Sequence, residues 1–288
     1  MRDPVGAAAD GGLPPWRENA APSGLWPALR LGEAWQFREL IMFFALRDFR
    51  VRYKQAFLGV AWAVVQPLAG ALTFTLLFHR LAEIDVGGHS YFAFSLVGFA
   101  VWSYFSIVVV AGSNSLLHNA GLLTKVAFPR LVLPLASMLP ALVDLAIGST
   151  LTLVAAVLAG DGVSIVGLVI GLPAGLVLLL VTVAGLLFLL SASVVRYRDI
   201  AVLVGFGLQV MLFITPVAYP PSLIPDGWRT LAYANPLAGV LGLFRWGLVS
   251  MDPPSAPQLL LSTGAAALLL VVGLLHFRRN EHELADII

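Results

Sequence analysis

Cysteine is missing from all 288 residues, so neither a disulfide framework nor a thiolate metal site can form, and the redox compartment leaves no mark on the chain. Charge is scarce: 11% of residues are charged against 59% hydrophobic, and the mean hydropathy is +0.90. That balance lies outside the soluble globular range and implies a fold embedded in lipid. No sign is in excess, because 17 Lys and Arg face 16 Asp and Glu, so no global basic field exists to draw nucleic acid.

Catalytic constellations are missing as well. Inside the apolar stretches the only fully charged residue is Asp144, and a lone carboxylate gives no general acid/base pair. The histidines, His79, His89, His118, His276 and His282, fall at stretch ends or in loops, with no HExxH pair and no GxSxG serine turn. Neither Lys54 nor Lys125 follows a GxxxxG run or precedes Ser or Thr. Phosphates of a nucleotide therefore find no cradle here, and any ATP that drives this chain is expected on another polypeptide. No metal or cofactor is expected on the chain itself.

What is present is a series of long apolar runs. Crossing about 30 Å of hydrocarbon takes roughly 20 apolar residues as a helix. Runs at about 57–78, 91–113, 131–159, 163–195, 201–218 and 257–277 meet that length. The sequence predicts an all-α integral membrane fold with six transmembrane helices, residues 30–288 forming one transmembrane domain. Residues 1–29, with Pro4, Pro14, Pro15, Pro22 and Pro27 and no apolar core of a signal peptide, read as a disordered lead-in.

Lys and Arg beside spans stay on the cytoplasmic side. With both termini there, fourteen basic residues lie inside and only Arg80, Arg229 and Arg245 outside; the reverse topology inverts that count. The 219–256 segment contains Asn235-Pro236 heading an apolar run too short to cross. It reads as a short re-entrant helical hairpin between the fifth and sixth spans, either an outer gate or an interfacial hairpin packed on its neighbours. Tyr219, Trp228 and Tyr233 are its aromatic gate candidates.

Before the first span, Phe37, Leu40, Ile41 and Phe44 repeat at helical spacing. An amphipathic interface helix is expected over 30–55. The run Arg47, Asp48, Arg50, Arg52, Tyr53, Lys54 and Gln55 would sit at headgroup level, in contact with membrane lipids or as an ordinary positive-inside anchor. Asp144, counted 13 residues along a helix that starts at Leu131, lies about 20 Å in, beyond the midplane. There it faces a polar conduit or a subunit contact, or it snorkels or stays protonated near the outer boundary. Gly167, Gly171 and Gly175 recur every four residues and admit a close helix neighbour. Tyr91, Phe94, Trp102 and Phe105 share one face of the second span; with Trp62 they are conduit candidates, while anchoring and packing are the alternative roles.

Taken in order, several motifs resemble the permease subunits of type-2 ABC exporters that move O-antigen, capsular polysaccharide or teichoic acid. They are Arg47-Asp48, Arg52-Tyr53-Lys54-Gln55, Leu58-Gly59, Trp62 and Gln66-Pro67; Asn119, Leu122, Lys125, Phe128-Pro129 and Pro134; Arg196-Tyr197-Arg198-Asp199; Thr215-Pro216-Val217, Tyr219-Pro220 and Asn235-Pro236; and Phe277, Glu283 and Ala285-Asp286-Ile287. The resemblance covers residue 35 onward. It implies a homodimer joined by two copies of a separate ATPase that binds ATP and Mg, moving a lipid-linked glycan across the bacterial inner membrane. It also implies a coupling element around Asn119–Phe128, with Leu122, Leu123 and Phe128 as apolar knobs and Lys125 as a charge contact, against the plainer reading of a loop packed on its own bundle. An outer hairpin that keeps the conduit shut and an aromatic-lined conduit follow from the same resemblance. Competing readings are a related permease for a drug or lipid, a membrane glycan transferase, which would need clustered acids at one face, and a passive channel.

Overall fold

The computed structural model describes residues 36–54, 61–126 and 128–281. The expected lead-in, Gln55, Leu58, Gly59 and the tail positions Glu283, Ala285, Asp286 and Ile287 lie outside these residues. Every regular element among the described residues is helical, as a chain that must satisfy its backbone in lipid requires. Helix α1 is Arg38–Lys54. Helix α2, Ala61–Phe74, continues as a π-helical stretch Thr75–Leu81. Helix α3 is Tyr91–Ser113, followed by the short α4 (Ser115–His118), α5 (Ala120–Leu123) and α6 (Val132–Ala136). Then come α7 (Leu142–Leu158), a π turn Gly167–Gly171 leading into α8 (Leu172–Arg196), and α9 (Ile200–Ile214). After a 3-10 turn at Pro221–Leu223, the chain ends in α10 (Asp226–Ala232), α11 (Pro236–Val249) and α12 (Ala256–Asn280).

Among the described residues, four helices are long and apolar enough by length and composition to cross a membrane: Ala61–Leu81, Tyr91–Ser113, Gly167–Arg196 and Ala256–Asn280. Leu142–Leu158, Ile200–Ile214 and Pro236–Val249 are apolar but shorter. The expected continuous third span, 131–159, is a correction. Residues 137–141 are turn between α6 and α7, because Pro134 and Pro140 cannot donate to a helical ladder and the ring of Pro140 disfavours α geometry before it. The expected fifth span, 201–218, closes at Ile214; Thr215 is extended and residues 215–218 are non-helical.

The core lies where α3 and α8 pack against α7 and α11, with α12 along α8 and α2 along α3. Tyr104, Phe105, Leu179, Leu187, Val240 and Phe244 are among its fully buried side chains. The glycine stripe of the fourth span meets its neighbour here. A Cβ at Gly167 would strike the Trp246 carbonyl, one at Gly171 the Trp246 ring and one at Gly175 the Phe244 ring, so small residues let α11 lie against α8. A second cluster gathers Phe44, Leu116, Leu131, Val132, Phe188 and Phe277, with Phe37, Leu40 and Ile41 packed on it. The apolar face read in the sequence thus seats α1 on α6.

Candidate functional site

The end of the bundle that carries α1 holds the first polar centre. Helix α1 runs beside residues 128–144 and is fastened twice. Arg47 donates to the Asn119 side chain at 2.9 Å and to Asp48 at 2.8 Å, while its guanidinium lies 5.0 Å over the Phe44 ring. Phe44 in turn packs on Phe128, ring centroids 5.8 Å apart. This polar and aromatic pair ties α1 to the loop that follows α3. One turn further along α1, Arg52 meets Asp144 at 2.8 Å and the Tyr53 hydroxyl donates to the other carboxylate oxygen. Burial, and then that hydrogen bond, push the Tyr53 phenol up to about 12, so Tyr53 stays a donor.

Asp144 is only 8% exposed. Its place corrects the expectation of a position beyond the midplane. The count along a continuous helix from Leu131 fails because residues 137–141 turn, which leaves Asp144 in the first turn of α7, at the α1 end. A cavity of about 500 Å³ lies beside the clasp, lined among others by Arg47, Arg52, His118, Asn119, Ile107 and Leu133.

In the loop expected to couple, Asn119 is held by Arg47, and Leu122, Leu123 and Phe128 pack partly buried on the α1 cluster. Lys125 and Val126 point outward. The loop is thus seated on α1 yet offers an exposed tip with one cation. Lys54 is exposed and Trp62 is 46% exposed.

The second polar centre is at the opposite end. Helix α9 breaks at Thr215-Pro216, and the freed backbone needs partners because orphan carbonyls in an apolar interior are costly. Each is supplied. The Asn235 amide donates to the Thr215 hydroxyl at 2.8 Å, Arg245 donates to the Pro216 and Val217 carbonyls at 2.8 and 2.7 Å, and the Tyr91 hydroxyl donates to the Ala218 carbonyl. The Arg245 guanidinium lies 3.7 Å from the centre of the Phe94 ring, a geometry in which the ring face attracts the cation. A Cβ at Gly98 would collide with the Val217 carbonyl, so only glycine lets this non-helical segment lie on α3.

Arg245, counted with the outer-side charges in the sequence, is 3% exposed and sits inside a helix of the core. Its partners are carbonyls 28 and 29 residues earlier, which no local pattern reveals. Tyr91, Phe94, Trp102 and Phe105 are buried within this one chain, as is Tyr233. Tyr219 is half-buried and bonds the Ile214 carbonyl at 2.9 Å, whereas Trp228 is 66% exposed. Of the hairpin, α10 is therefore the accessible part and α11 a core element.

Residues 39–249 match the ABC-2 type transporter family. The chain is 29% identical over 256 residues to the O-antigen export system permease protein RfbA of Myxococcus xanthus, covering 88% of this chain and 97% of that protein. Two Klebsiella pneumoniae proteins of the same name are 26% and 25% identical over 255 residues, covering 87% of this chain and 95% of each. A multi-pass helical chain whose family match takes in both polar centres, it belongs to the ABC-2 type transporter family as a membrane-embedded transport component.

Proposed function

We propose that this chain is the permease subunit of an exporter that moves a lipid-linked polysaccharide, of the O-antigen kind, out of the cytoplasm across the bacterial inner membrane. The observation that carries this is the match, over nearly the whole of their length, to three proteins named for O-antigen export. ATP hydrolysis belongs to a separate ATPase, because the chain holds no P-loop lysine. The loop at 119–128, braced by Arg47 and Phe44 and presenting Lys125, is the element that the ATPase grips. A short rigid element can pass the closing motion of a nucleotide-bound pair to the spans.

Six crossings with both termini in the cytoplasm accommodate the fourteen-to-three bias of basic residues. In this topology α11 re-enters from the outer side, and α10 with Trp228 stands at the outer mouth. A second copy of the chain completes the conduit. The apolar face of α9, where Val202, Leu203, Phe206, Phe213 and Ile214 are exposed, suits that role. Two transport subunits and two ATPases make the working unit.

Purification of the tagged chain in mild detergent, with identification of co-purifying proteins and an ATPase assay, tests the assignment. A P-loop ATPase recovered in equal proportion supports it. Recovery of the chain alone from several detergents contradicts it and favours a passive channel.

A further inference from the structure

Two arginines line the 500 Å³ cavity beside α1, and both are answered by acids of the same chain: Arg47 by Asp48 at 2.7 Å and Arg52 by Asp144 at 2.8 Å. Two guanidinium groups and two carboxylates cancel, so as it stands the cavity exerts little net pull on an anion. The two pairs are not alike. Asp48 is a partly exposed neighbour on the same helix and accepts an aligned hydrogen bond from Arg47. Asp144 belongs to α7, is buried, and its Oδ2 atom has no aligned hydrogen bond although Arg52 lies close. Buried carboxylates are ordinarily well bonded, so this one is held by charge alone on its Arg52 side. The remainder of the lining is mixed: His118 and Asn119 are polar, Ile107 and Leu133 apolar.

We propose that Asp144 is an exchangeable internal counter-ion, standing in for a phosphate, and that the cavity receives a phosphorylated lipid headgroup which takes Arg52 from it. A diphosphate that joins a lipid to a sugar carries about two negative charges, one on each phosphate, with several terminal acceptor oxygens. It therefore outbids a single carboxylate for the planar guanidinium fork. The volume lies in the range of pockets that hold small ligands, and apolar side chains beside the arginines suit the start of an acyl or prenyl chain. Asp144, once released, keeps the Tyr53 hydroxyl as donor, which lowers the cost of leaving the carboxylate without its arginine. Resting on the export role proposed above, the exchange would loosen α1 from α7 when cargo loads. Arg47 and Asn119, on the same helix and the braced loop, would carry that change toward the ATPase contact.

The test is equilibrium binding of radiolabelled polyprenyl diphosphate to the detergent-purified permease–ATPase complex, against the Asp144→Asn and Arg52→Gln variants. Asparagine still accepts from Tyr53 but no longer competes as an anion, so the Asp144→Asn variant is expected to bind about fivefold more tightly. Arg52→Gln is expected to weaken binding by roughly tenfold, a single charge-assisted contact's worth, and the double variant to bind as Arg52→Gln does. Phosphatidylglycerol and inorganic diphosphate serve as competitors. Competition by phosphatidylglycerol that depends in the same way on residues 52 and 144 supports the site with a bilayer lipid as occupant; selective binding of the polyprenyl diphosphate supports the cargo. Unchanged or weaker binding by Asp144→Asn overturns the exchange. Hydrogen exchange on the unsubstituted complex guards against a misfolded variant: amides 50–54 should exchange several-fold faster with saturating ligand, and no change overturns the proposal as well. Should the exchange fail while the unsubstituted complex still hydrolyses ATP and exports glycan, the export role stands without it.

Discussion

Helices α9 and α11 are nearly equal in length, 15 and 14 residues, and both are apolar, yet their surroundings are opposite. In α9 only Val204 is buried; in α11 eleven of the fourteen residues are, from Leu237 to Val249. Hydrophobicity cannot account for the difference, since lipid is as apolar as a protein interior. Polar handles and small residues can. Helix α11 is headed by Asn235, whose side chain accepts from the Leu237 amide. It carries Arg245, which answers two freed carbonyls, and it lies against the glycine stripe of α8. Helix α9 offers only Gln209 as a polar side chain and a broad apolar face. Its partner is a second copy of the chain, on the reading proposed above.

Substitutions can break this contrast in order of severity. Gly98→Leu forces a side chain into the Val217 carbonyl, and overpacking of backbone against backbone costs at least about 1–3 kcal/mol. Little folded protein is expected by size-exclusion chromatography in detergent, whereas a normal monodisperse peak would mean residues 215–218 do not lie on α3. Arg245→Met keeps the bulk but strips donors from two buried carbonyls, at roughly 1–3 kcal/mol each. A large drop in thermal stability in detergent is expected, and Arg245→Lys should recover only part of it because an ammonium lacks the fork.

Phe128→Asp removes the ring that packs on Phe44 and puts a charge at the braced loop. ATPase activity of the complex should persist while glycan export falls by about tenfold or more; normal export would sink the coupling role. Phe206→Ala sharpens the contrast from the other side. Its side chain is exposed within the single chain, so the stability of the isolated subunit should change by less than about 0.5 kcal/mol. Phe206→Cys, the sole cysteine of such a chain, should instead cross-link two copies in membranes.

The sequence made part of this plain. The 37, 40, 41 and 44 face of α1, the close approach at Gly167, Gly171 and Gly175 and the Asn235-Pro236 helix start are local patterns, each decided by residues within one or two turns. What failed to show depends on residues far apart. Asp144 was misplaced in depth because the turn at 137–141 shortens the path, and its partners Arg52 and Tyr53 lie 92 and 91 residues earlier. The partners of Arg245 are likewise remote, the carbonyls of Pro216 and Val217, so nothing near it in sequence shows what bonds it. The face shared by Tyr91, Phe94, Trp102 and Phe105 is real, but periodicity alone cannot say whether such a face meets a conduit, lipid or another helix; within one chain it meets the core.

The central claim is tested most directly by reconstituting the chain with its co-purifying ATPase in proteoliposomes loaded with a lipid-linked glycan, and measuring the glycan's access to an enzyme confined to one side of the membrane. ATP-dependent transfer across the bilayer, lost with Phe128→Asp but accompanied by continued ATP hydrolysis, is the outcome expected of a coupled export permease. Transfer that proceeds at the same rate without ATP, or hydrolysis with no movement of glycan by the unsubstituted complex, would contradict it.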